Sequence, residues 1–245
     1  EIFRQALESP IITNAHRIRN GQLPLLPEPE TIDANCDFVF IEQAAIKSAG
    51  QAVVRLCGYE IPERFGFHPI DEIQVITPTH KGEAGTLNIN RVLQDVLNGP
   101  DRGRVAQLGA FRRGDKVMHL KNNYHKEVYN GDIGIVRDLD SRMNRMEVDF
   151  DGHRVAYEGA ELEELSLAYA ITVHKSQGSE YPAVVLLLFS QHYMLLQRNL
   201  LYTAITRGRQ LVVIVGHGRA LRRALANDQP QRRSSRLVHR LRQLL

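Results

Sequence analysis

Two kinds of residue pattern follow one another along this chain, and the second interrupts the first. Short apolar runs of the length of a buried strand occur at residues 37–41, 73–76, 183–189 and 211–215. Apolar residues at helical spacing occur between and after these runs, at residues 45–58, 86–97, 193–206 and 219–226. Alternation of buried strands with helices is typical of an α/β fold. We therefore predict a parallel sheet flanked by helices for the body of the chain.

The helical spacing disappears between residues 111 and 158, where strand-like pieces follow one another. Their expected positions are 116–120, 132–138, 145–150 and 153–157. The pairs Asn130-Gly131 and Asp151-Gly152 between them favour tight turns of antiparallel strands. We predict a small β-barrel or meander at 111–158, inserted into a discontinuous domain formed by residues 1–110 and 159–245.

Capping residues mark the ends of several predicted helices. Ser9 followed by Pro10 is typical of a helix start, and Asn20-Gly21 of the end of the same helix. Gly58 stands where the helix that begins near residue 45 would need a residue with positive φ to end. A last amphipathic helix is expected at 234–245.

Composition and charge exclude several classes of protein. The chain of 245 residues is 43% hydrophobic and 24% charged, and no apolar run approaches the roughly 20 residues of a membrane span. We therefore expect a soluble protein without a membrane partner, and we recognise no secretory leader. Cys36 and Cys57 have no metal-ligand spacing, so we expect reduced thiols in a cytoplasmic protein and no metal site.

The charge is distributed unevenly along the chain. The formal net charge is +3, yet residues 219–245 carry eight Arg and a single Asp. A basic end of this kind suits an anionic partner such as nucleic acid, or it is simply solvated.

The sequence lacks the two motifs with which P-loop enzymes bind and hydrolyse a nucleoside triphosphate. No G-x-x-x-x-G-K-[ST] segment occurs, and Lys175-Ser176 follows a His rather than a Gly. Asp71-Glu72 precedes a predicted strand, whereas the acidic pair that binds magnesium ends one. We therefore expect this chain alone to hydrolyse no ATP.

The segment T-V-H-K-S-Q-G-S-E at 172–180 carries the strongest functional signal. It concentrates hydroxyl, imidazole, ammonium and amide donors beside a Gly, directly before a buried strand. Such donors suit the phosphate backbone of a nucleic acid, which offers only acceptors. The alternative from the residues alone is a capped loop with a solvated Lys175.

A second cluster, residues 199–209, ends a predicted helix ahead of the strand at 211–215 and contains Arg207. An Arg in this position can reach across a domain interface to a phosphoryl group, as arginine fingers do. It can equally neutralise the C-terminus of its own helix. Both interpretations stay open from the residues alone.

Together these segments resemble the C-terminal motor domain of superfamily 1 helicases, in particular the RecD-like branch that includes the exodeoxyribonuclease V alpha subunit. The resemblance covers nearly the whole chain in family order and implies a RecA-like parallel sheet with an inserted SH3-like β-barrel. Five blocks carry it. The first is E-I-F-R-Q-A at 1–6 with N-A-H-R-I at 14–18 and Gly21, and the second is T-P at 77–78 with Lys81, Gly82, Gly85, Asn88 and Asn90. The third is F-R-R-G-D-K-V-M at 111–118 with N-N-Y at 122–124 and Y-N-G-D at 129–132, and the last two are the segments 172–180 and 202–207.

The resemblance implies roles for individual residues. Arg4 and Arg207 would reach the γ-phosphate of ATP, which the preceding RecA-like domain of the same polypeptide would hold together with Mg²⁺. The residues implied in nucleotide contact besides these are Gly178, Gln177 and Glu180. The residues implied in contact with single-stranded DNA are Thr172, His174, Lys175, Thr77, Thr79 and Asn88. Several family members carry Arg at the position of Lys81, and because Lys lacks the planar fork of Arg, no specific contact is assigned there.

The implied function is an ATP-dependent DNA helicase of repair or recombination that steps in the 5′→3′ direction. This chain would supply half of its ATP site and half of its DNA track, and other recombination or repair subunits would be further partners. Two alternatives stay open. One is a non-catalytic module that binds nucleic acid or protein, and the other is a subunit of a RecBCD-type nuclease complex.

Aromatic and basic residues cluster in the longest loop of the predicted insertion, at Tyr124, His125, Lys126 and Tyr129. Such a cluster can stack bases and neutralise phosphates. It can also pack the edge of the barrel, and the residues alone favour neither interpretation.

Overall fold

The computed structural model of the chain describes residues 9–27, 36–99 and 107–228. In chain order, its helices are α1 (Pro10–Arg19), α2 (Ala49–Arg55), α3 (Ile61–Phe65), α4 (Thr86–Leu97), α5 (Arg198–Ile205) and α6 (Gly218–Ala226). Its strands are β1 (Phe38–Glu42), β2 (Ile73–Thr77), β3 (Gln107–Leu108), β4 (Phe111–Arg112), β5 (Lys116–His119), β6 (Ile133–Asp140), β7 (Arg145–Phe150), β8 (His153–Glu158), β9 (Leu165–Leu167), β10 (Ala170–Thr172), β11 (Tyr181–Leu188) and β12 (Gly208–Gly216). None of the helices in these ranges has the length and apolar character needed to cross a membrane. The helix expected at 234–245 lies outside the described residues.

A parallel sheet forms the centre of the body, with its described strands in the order β1-β12-β11-β2-β10. The side chains of β11 alternate between its two faces. Val184 and Leu186 pack with α1, α5 and α6, whereas Val185 and Leu187 pack with α2 and α4. Because helices cover both faces, β11 is apolar along its whole length. The predicted parallel sheet flanked by helices is confirmed.

A second sheet, antiparallel in the order β8-β7-β6-β5-β9, surrounds a separate apolar core. Asp151 and Gly152, with φ of 50° and 91°, form the predicted tight turn between β7 and β8. Strand β9 belongs to this sheet although it lies beyond residue 158. We call residues 107–167 the β insertion; the predicted limits of the inserted domain, 111–158, stay a prediction.

Two predicted helix boundaries were wrong. Gly58 does not end a helix, because the chain continues through a π turn at Leu56–Glu60 into α3, which ends at Gly66 with φ of 74°. Gly58 instead lies against Val96 of α4, where its small size permits close packing. The helix predicted at 193–206 begins only at Arg198, because the preceding residue is extended.

The buried carboxylate of Asp115 joins the β insertion to the body. It accepts hydrogen bonds from the side chains of Gln94 on α4 at 2.6 Å and of Asn98, which caps the end of α4, at 2.8 Å. It also accepts from the backbone N–H of Arg112 at 2.7 Å and from the Tyr169 hydroxyl at 2.9 Å. Burial raises the pKa of Asp115, and these hydrogen bonds oppose that rise. Four donors from both units therefore converge on one side chain.

Lys116, the next residue, also reaches from the β insertion into the body. Its buried Nζ donates to the carbonyl of Ile73 at 3.2 Å and lies 5.8 Å from the ring centroid of Tyr181. Burial lowers the pKa of Lys116 to about 8. Two consecutive buried polar residues thus set the orientation of the β insertion on the sheet.

Asp115→Asn should destabilise the protein by about 2–4 kcal/mol, because either orientation of the new amide points its NH₂ at two donors. Urea unfolding measures the loss. The matched control is Asp95→Asn, since Asp95 also links α4 to the β insertion through an ion pair with Arg112 but its side chain is 56% exposed. The control should cost less than about 1 kcal/mol. Equal effects of the two variants would refute a special role for Asp115.

Candidate functional site

The loop at 173–180 connects the end of β10 to the start of β11. It therefore runs from the side of the sheet where the parallel strands end, the carboxyl edge, to the side where they begin, the amino edge. Thr172 ends β10 level with Thr77, the last residue of β2. Tyr181 begins β11 two residues before the partner of Ile73, the first residue of β2. At about 3.3 Å per strand residue, the two ends of the loop lie roughly 20 Å apart along the strands. We call this segment the crossing loop. It joins the carboxyl edge of the sheet to its amino edge.

The carboxyl-edge end of the crossing loop begins with a tight turn. The backbone N–H of Ser176 donates to the carbonyl of Thr172 at 3.1 Å, and that of Lys175 donates to the Thr172 hydroxyl at 3.4 Å. His174 is exposed. Nζ of Lys175 donates to Oδ1 of Asn130 in the β insertion. The ammonium group of Lys175 is thereby held beside the insertion, and the imidazole of His174 is exposed one residue earlier.

The other residues that the sequence assigned to DNA lie at the same edge, with different exposure. The Thr77 hydroxyl is fully buried and donates to the carbonyl of Ala84 at 2.6 Å. Thr79 is half-buried, and the half-buried Asn88 donates to the carbonyl of Glu83 at 2.8 Å. The structure thus conflicts with a DNA contact through Thr77, whose side chain holds the loop before α4.

Arg207 lies at the amino edge, between α5 and β12. Its Nε donates to the Thr203 carbonyl at 3.0 Å, and its Nη2 donates to the Thr206 hydroxyl at 3.2 Å. Nη1 donates to the Ser179 carbonyl in the crossing loop at 3.0 Å. The carbonyl of Arg207 accepts from the N–H of Tyr181 at 2.8 Å. Arg207 therefore caps its own helix and binds the crossing loop at the same time.

Gly178 and Glu180 flank Ser179, the residue of the crossing loop whose carbonyl accepts from Arg207. Gly178 has φ of 90°, a conformation that favours glycine, and the space in front of its Cα is open. Gln177 is exposed. Glu180 forms an exposed ion pair with Arg209 at 2.7 Å, so a nucleotide contact of Glu180 would compete with Arg209. Arg4 lies outside the described residues.

Sequence reasoning missed two features of the site. Strand β10 was not predicted, since Ala170–Thr172 is short and lies at the sheet edge. The contact of Lys175 with Asn130 joins residues 45 positions apart, which no local pattern predicts. Among residues 9–27, 36–99 and 107–228, no group of His, Cys, Asp and Glu could hold a metal ion.

Two family profiles match the chain. The UvrD-like helicase C-terminal domain matches residues 167–215, which include the crossing loop and Arg207. The SH3 domain of ATP-dependent RecD-like DNA helicases matches residues 89–150, which include most of the β insertion. The sheet domain and the insertion therefore each match a module of helicases.

Individual relatives agree with these profiles. The ATP-dependent RecD2 DNA helicase of Deinococcus radiodurans is 36% identical over 243 residues, which is 99% of this chain and 31% of the relative. The RecBCD enzyme subunit RecD of Mycolicibacterium smegmatis is 31% identical over 163 residues, which is 66% of this chain and 28% of the relative. The chain thus spans about a third of the length of these relatives.

A solved structure has the same fold. The crystal structure of Pif1 helicase from Bacteroides in complex with ADP-AlF3 and ssDNA aligns with a TM-score of 0.51 at 21% identity. The alignment covers 97% of this chain and 54% of that one. The two matched profiles and the RecD2 relative place the chain among superfamily 1 helicases. Within them it belongs to the RecD-like family, as a C-terminal motor domain with an SH3-like insertion.

Gly178→Ala should destabilise the protein by about 1–2 kcal/mol, because an L-residue at φ of 90° is strained even where its methyl group meets open space. The matched control is Gly66→Ala at φ of 74°, which also meets open space. Urea unfolding should show similar losses for both variants. No loss for Gly178→Ala, beside a clear loss for Gly66→Ala, would show that the crossing loop relaxes to another backbone conformation.

Proposed function

We propose that this chain supplies one side of the ATP site and part of the single-stranded DNA track of an ATP-dependent DNA helicase. The observation that carries the proposal is that one crossing loop bears donors at the carboxyl edge and contacts Arg207 at the amino edge. In the alternative of a non-catalytic module, this Arg would only cap α5 and hold the loop.

The nucleotide side consists of Arg207 with the loop residues Gln177, Gly178 and Glu180. In the described residues, three of the five guanidinium N–H groups of Arg207 donate to protein acceptors. The two others and the fixed positive charge remain for a phosphoryl group. A guanidinium held in this way stabilises the negative charge that develops on the γ-phosphate during hydrolysis. Arg4 is proposed as a second guanidinium, from family resemblance alone.

ATP is the substrate of this site, and Mg²⁺ neutralises its phosphates. The described residues contain neither a phosphate-binding loop nor a cluster of carboxylates for the ion. We therefore assign both to another RecA-like domain of the same polypeptide, against which Arg207 and the backbone of Gly178 are placed. This chain contributes transition-state charge stabilisation rather than binding of the triphosphate.

The nucleic-acid side consists of Thr172, His174 and Lys175, with Thr79 and Asn88 beside them at the carboxyl edge. His174 is exposed, and Lys175 is oriented by Asn130. These side chains donate hydrogen bonds to phosphate oxygens, which position a strand without reading its sequence. The buried Thr77 hydroxyl stabilises the loop before α4 through its hydrogen bond to the carbonyl of Ala84.

The crossing loop explains how the two sides are coupled. Successive turns connect Thr172 to Ser176 and Ser176 to Ser179, and Ser179 accepts from Arg207. A change of charge at the nucleotide moves Arg207, and the short loop transmits the shift to Lys175. Hydrolysis thereby alters the grip on DNA, and we infer that this drives stepping in the 5′→3′ direction, which the family resemblance implies.

The relatives support this proposal and bear on the choice between two forms of the protein. The match to RecD2 extends over 99% of the chain, whereas the match to the RecBCD subunit RecD extends over 66%. This difference favours a helicase of the RecD2 kind over a subunit of a nuclease complex with recombination partners. The Pif1 structure of the same fold carries an adenine nucleotide complex, ADP-AlF3, and ssDNA, the two classes of ligand proposed here.

Arg207→Ala in the full-length protein should lower DNA-stimulated ATP turnover by about 10³-fold or more while nucleotide binding is retained. Steady-state turnover and binding of a fluorescent nucleotide analogue measure the two effects. Arg55→Ala is the control and should leave turnover unchanged, because Arg55 of α2 is 56% exposed and pairs with Glu60, and neither residue belongs to the proposed site. Turnover of Arg207→Ala within about threefold of the wild type would exclude Arg207 as the arginine finger.

Lys175→Ala in the full-length protein should weaken binding of an oligo-dT strand and reduce the slope of log affinity against log salt by about one. Fluorescence anisotropy at several salt concentrations measures both. Lys47→Ala, an exposed Lys in the turn before α2, serves as control and should leave the slope unchanged. An unchanged slope for Lys175→Ala would remove Lys175 from the DNA track.

A further inference from the structure

Two exposed tyrosines stand together in the β insertion, in the loop between β5 and β6. The side chain of Tyr124 is 74% exposed and that of Tyr129 is 46% exposed. Their ring centroids are 6.0 Å apart and their planes meet at 73°. This edge-to-face arrangement leaves ring faces open to solvent. Neither ring belongs to the apolar core of the insertion.

Local hydrogen bonds hold the loop that carries this tyrosine pair. Asn123 and Val128 exchange backbone hydrogen bonds across it at 2.8 and 3.2 Å. The N–H of Tyr129 donates to the carboxylate of Asp132 at 2.7 Å, and the N–H of Asn130 donates to the side chain of Asn122 at 2.9 Å. The rings are therefore exposed on an ordered backbone, which lowers the entropy cost of binding a partner.

The tyrosine pair is continuous with the proposed DNA track. Asn130, the residue after Tyr129, accepts the hydrogen bond from Nζ of Lys175 in the crossing loop. A strand that lies along Thr172 and Lys175 meets the β insertion at this contact. Tyr129 directly precedes Asn130 in the chain, and its ring packs against that of Tyr124.

Lys126, a basic residue of the same loop, is bound within the β insertion. Lys126 is held by Glu161 at 2.6 Å and by the carbonyl of Ala156 at 2.7 Å, and its Nζ lies 4.9 Å from the ring centroid of Tyr157. Lys126 therefore stabilises the fold of the insertion, whereas Tyr124 and Tyr129 of the same sequence cluster are exposed. Lys121, in turn, pairs with Glu164 at 3.8 Å.

We propose that Tyr124 and Tyr129 form a stacking site for unpaired nucleobases, which extends the DNA track from Lys175 onto the β insertion. The site rests on the proposed function and adds a second mode of contact to it. Aromatic rings stack with any base, so the site is tolerant of sequence. Because Lys126 of the same loop is paired with Glu161, the contribution of the two tyrosines is ring contact and not phosphate charge.

The test uses the full-length protein and oligo-dT strands measured by fluorescence anisotropy at several salt concentrations. Tyr124→Ala and Tyr129→Ala should each weaken binding about 5-fold or more, because a lost base stack costs that much. The slope of log affinity against log salt should not change, since stacking releases no counterions. Tyr124→Phe and Tyr129→Phe should bind like the wild type, since they keep the ring.

Two controls separate stacking from other effects. Tyr193→Ala removes a tyrosine that is 53% exposed but lies beside Arg223 of α6, and it should leave affinity unchanged. A fully abasic strand of the same length should bind equally to the wild type and to Tyr124→Ala and Tyr129→Ala. Equal weakening of dT and abasic strands, or Phe variants as weak as the Ala variants, would overturn the stacking site.

The outcomes also separate this inference from the function on which it rests. Wild-type affinity of Tyr124→Ala and Tyr129→Ala, beside weakened binding by Lys175→Ala, refutes the stacking site and leaves the DNA track in place. If Lys175→Ala also binds like the wild type, the proposed track itself fails.

Discussion

A connection between parallel strands has to return the chain from the carboxyl edge of the sheet to its amino edge. In this protein the return from β10 to β11 is made by the short crossing loop rather than by a helix. One segment therefore touches both edges, with Lys175 at one end and Ser179 beside Arg207 at the other. The proposed coupling of nucleotide and DNA depends on this constraint of topology.

The position of the β insertion depends on a second constraint, the burial of Asp115 and Lys116 where the insertion meets the body. A buried carboxylate is costly unless its acceptors are satisfied, and Asp115 meets this condition with donors from α4, from Tyr169 and from its own turn. Only one orientation of the insertion brings these donors together. That orientation places Asn130 against Lys175 and leaves the tyrosine pair at the surface.

Much of the architecture could be predicted because it rests on local chemistry. Helix α4 has the predicted bounds of 86–97, since Ile89 and Leu93 follow one face of a helix. Ser9 caps α1 through its hydroxyl at 3.3 Å from the N–H of Ile11, as the Ser-Pro pair indicates. The helix end predicted at Gly58 was wrong, because a Gly can be required for close packing as well as for the positive φ that ends a helix. The site residues remain a proposal built on resemblance and geometry.

The sequence by itself determined the alternation of strands and helices, the presence of an inserted β unit and the family, because periodicity, turn residues and motifs are local properties. The tertiary structure alone decided which side chains meet. It placed the Thr77 hydroxyl in the interior, paired Glu180 with Arg209 and separated Lys126 from the two tyrosines. The Glu180–Arg209 and Lys126–Glu161 pairs join residues 29 and 35 positions apart, so they form only when the whole chain packs and its polar groups leave water together.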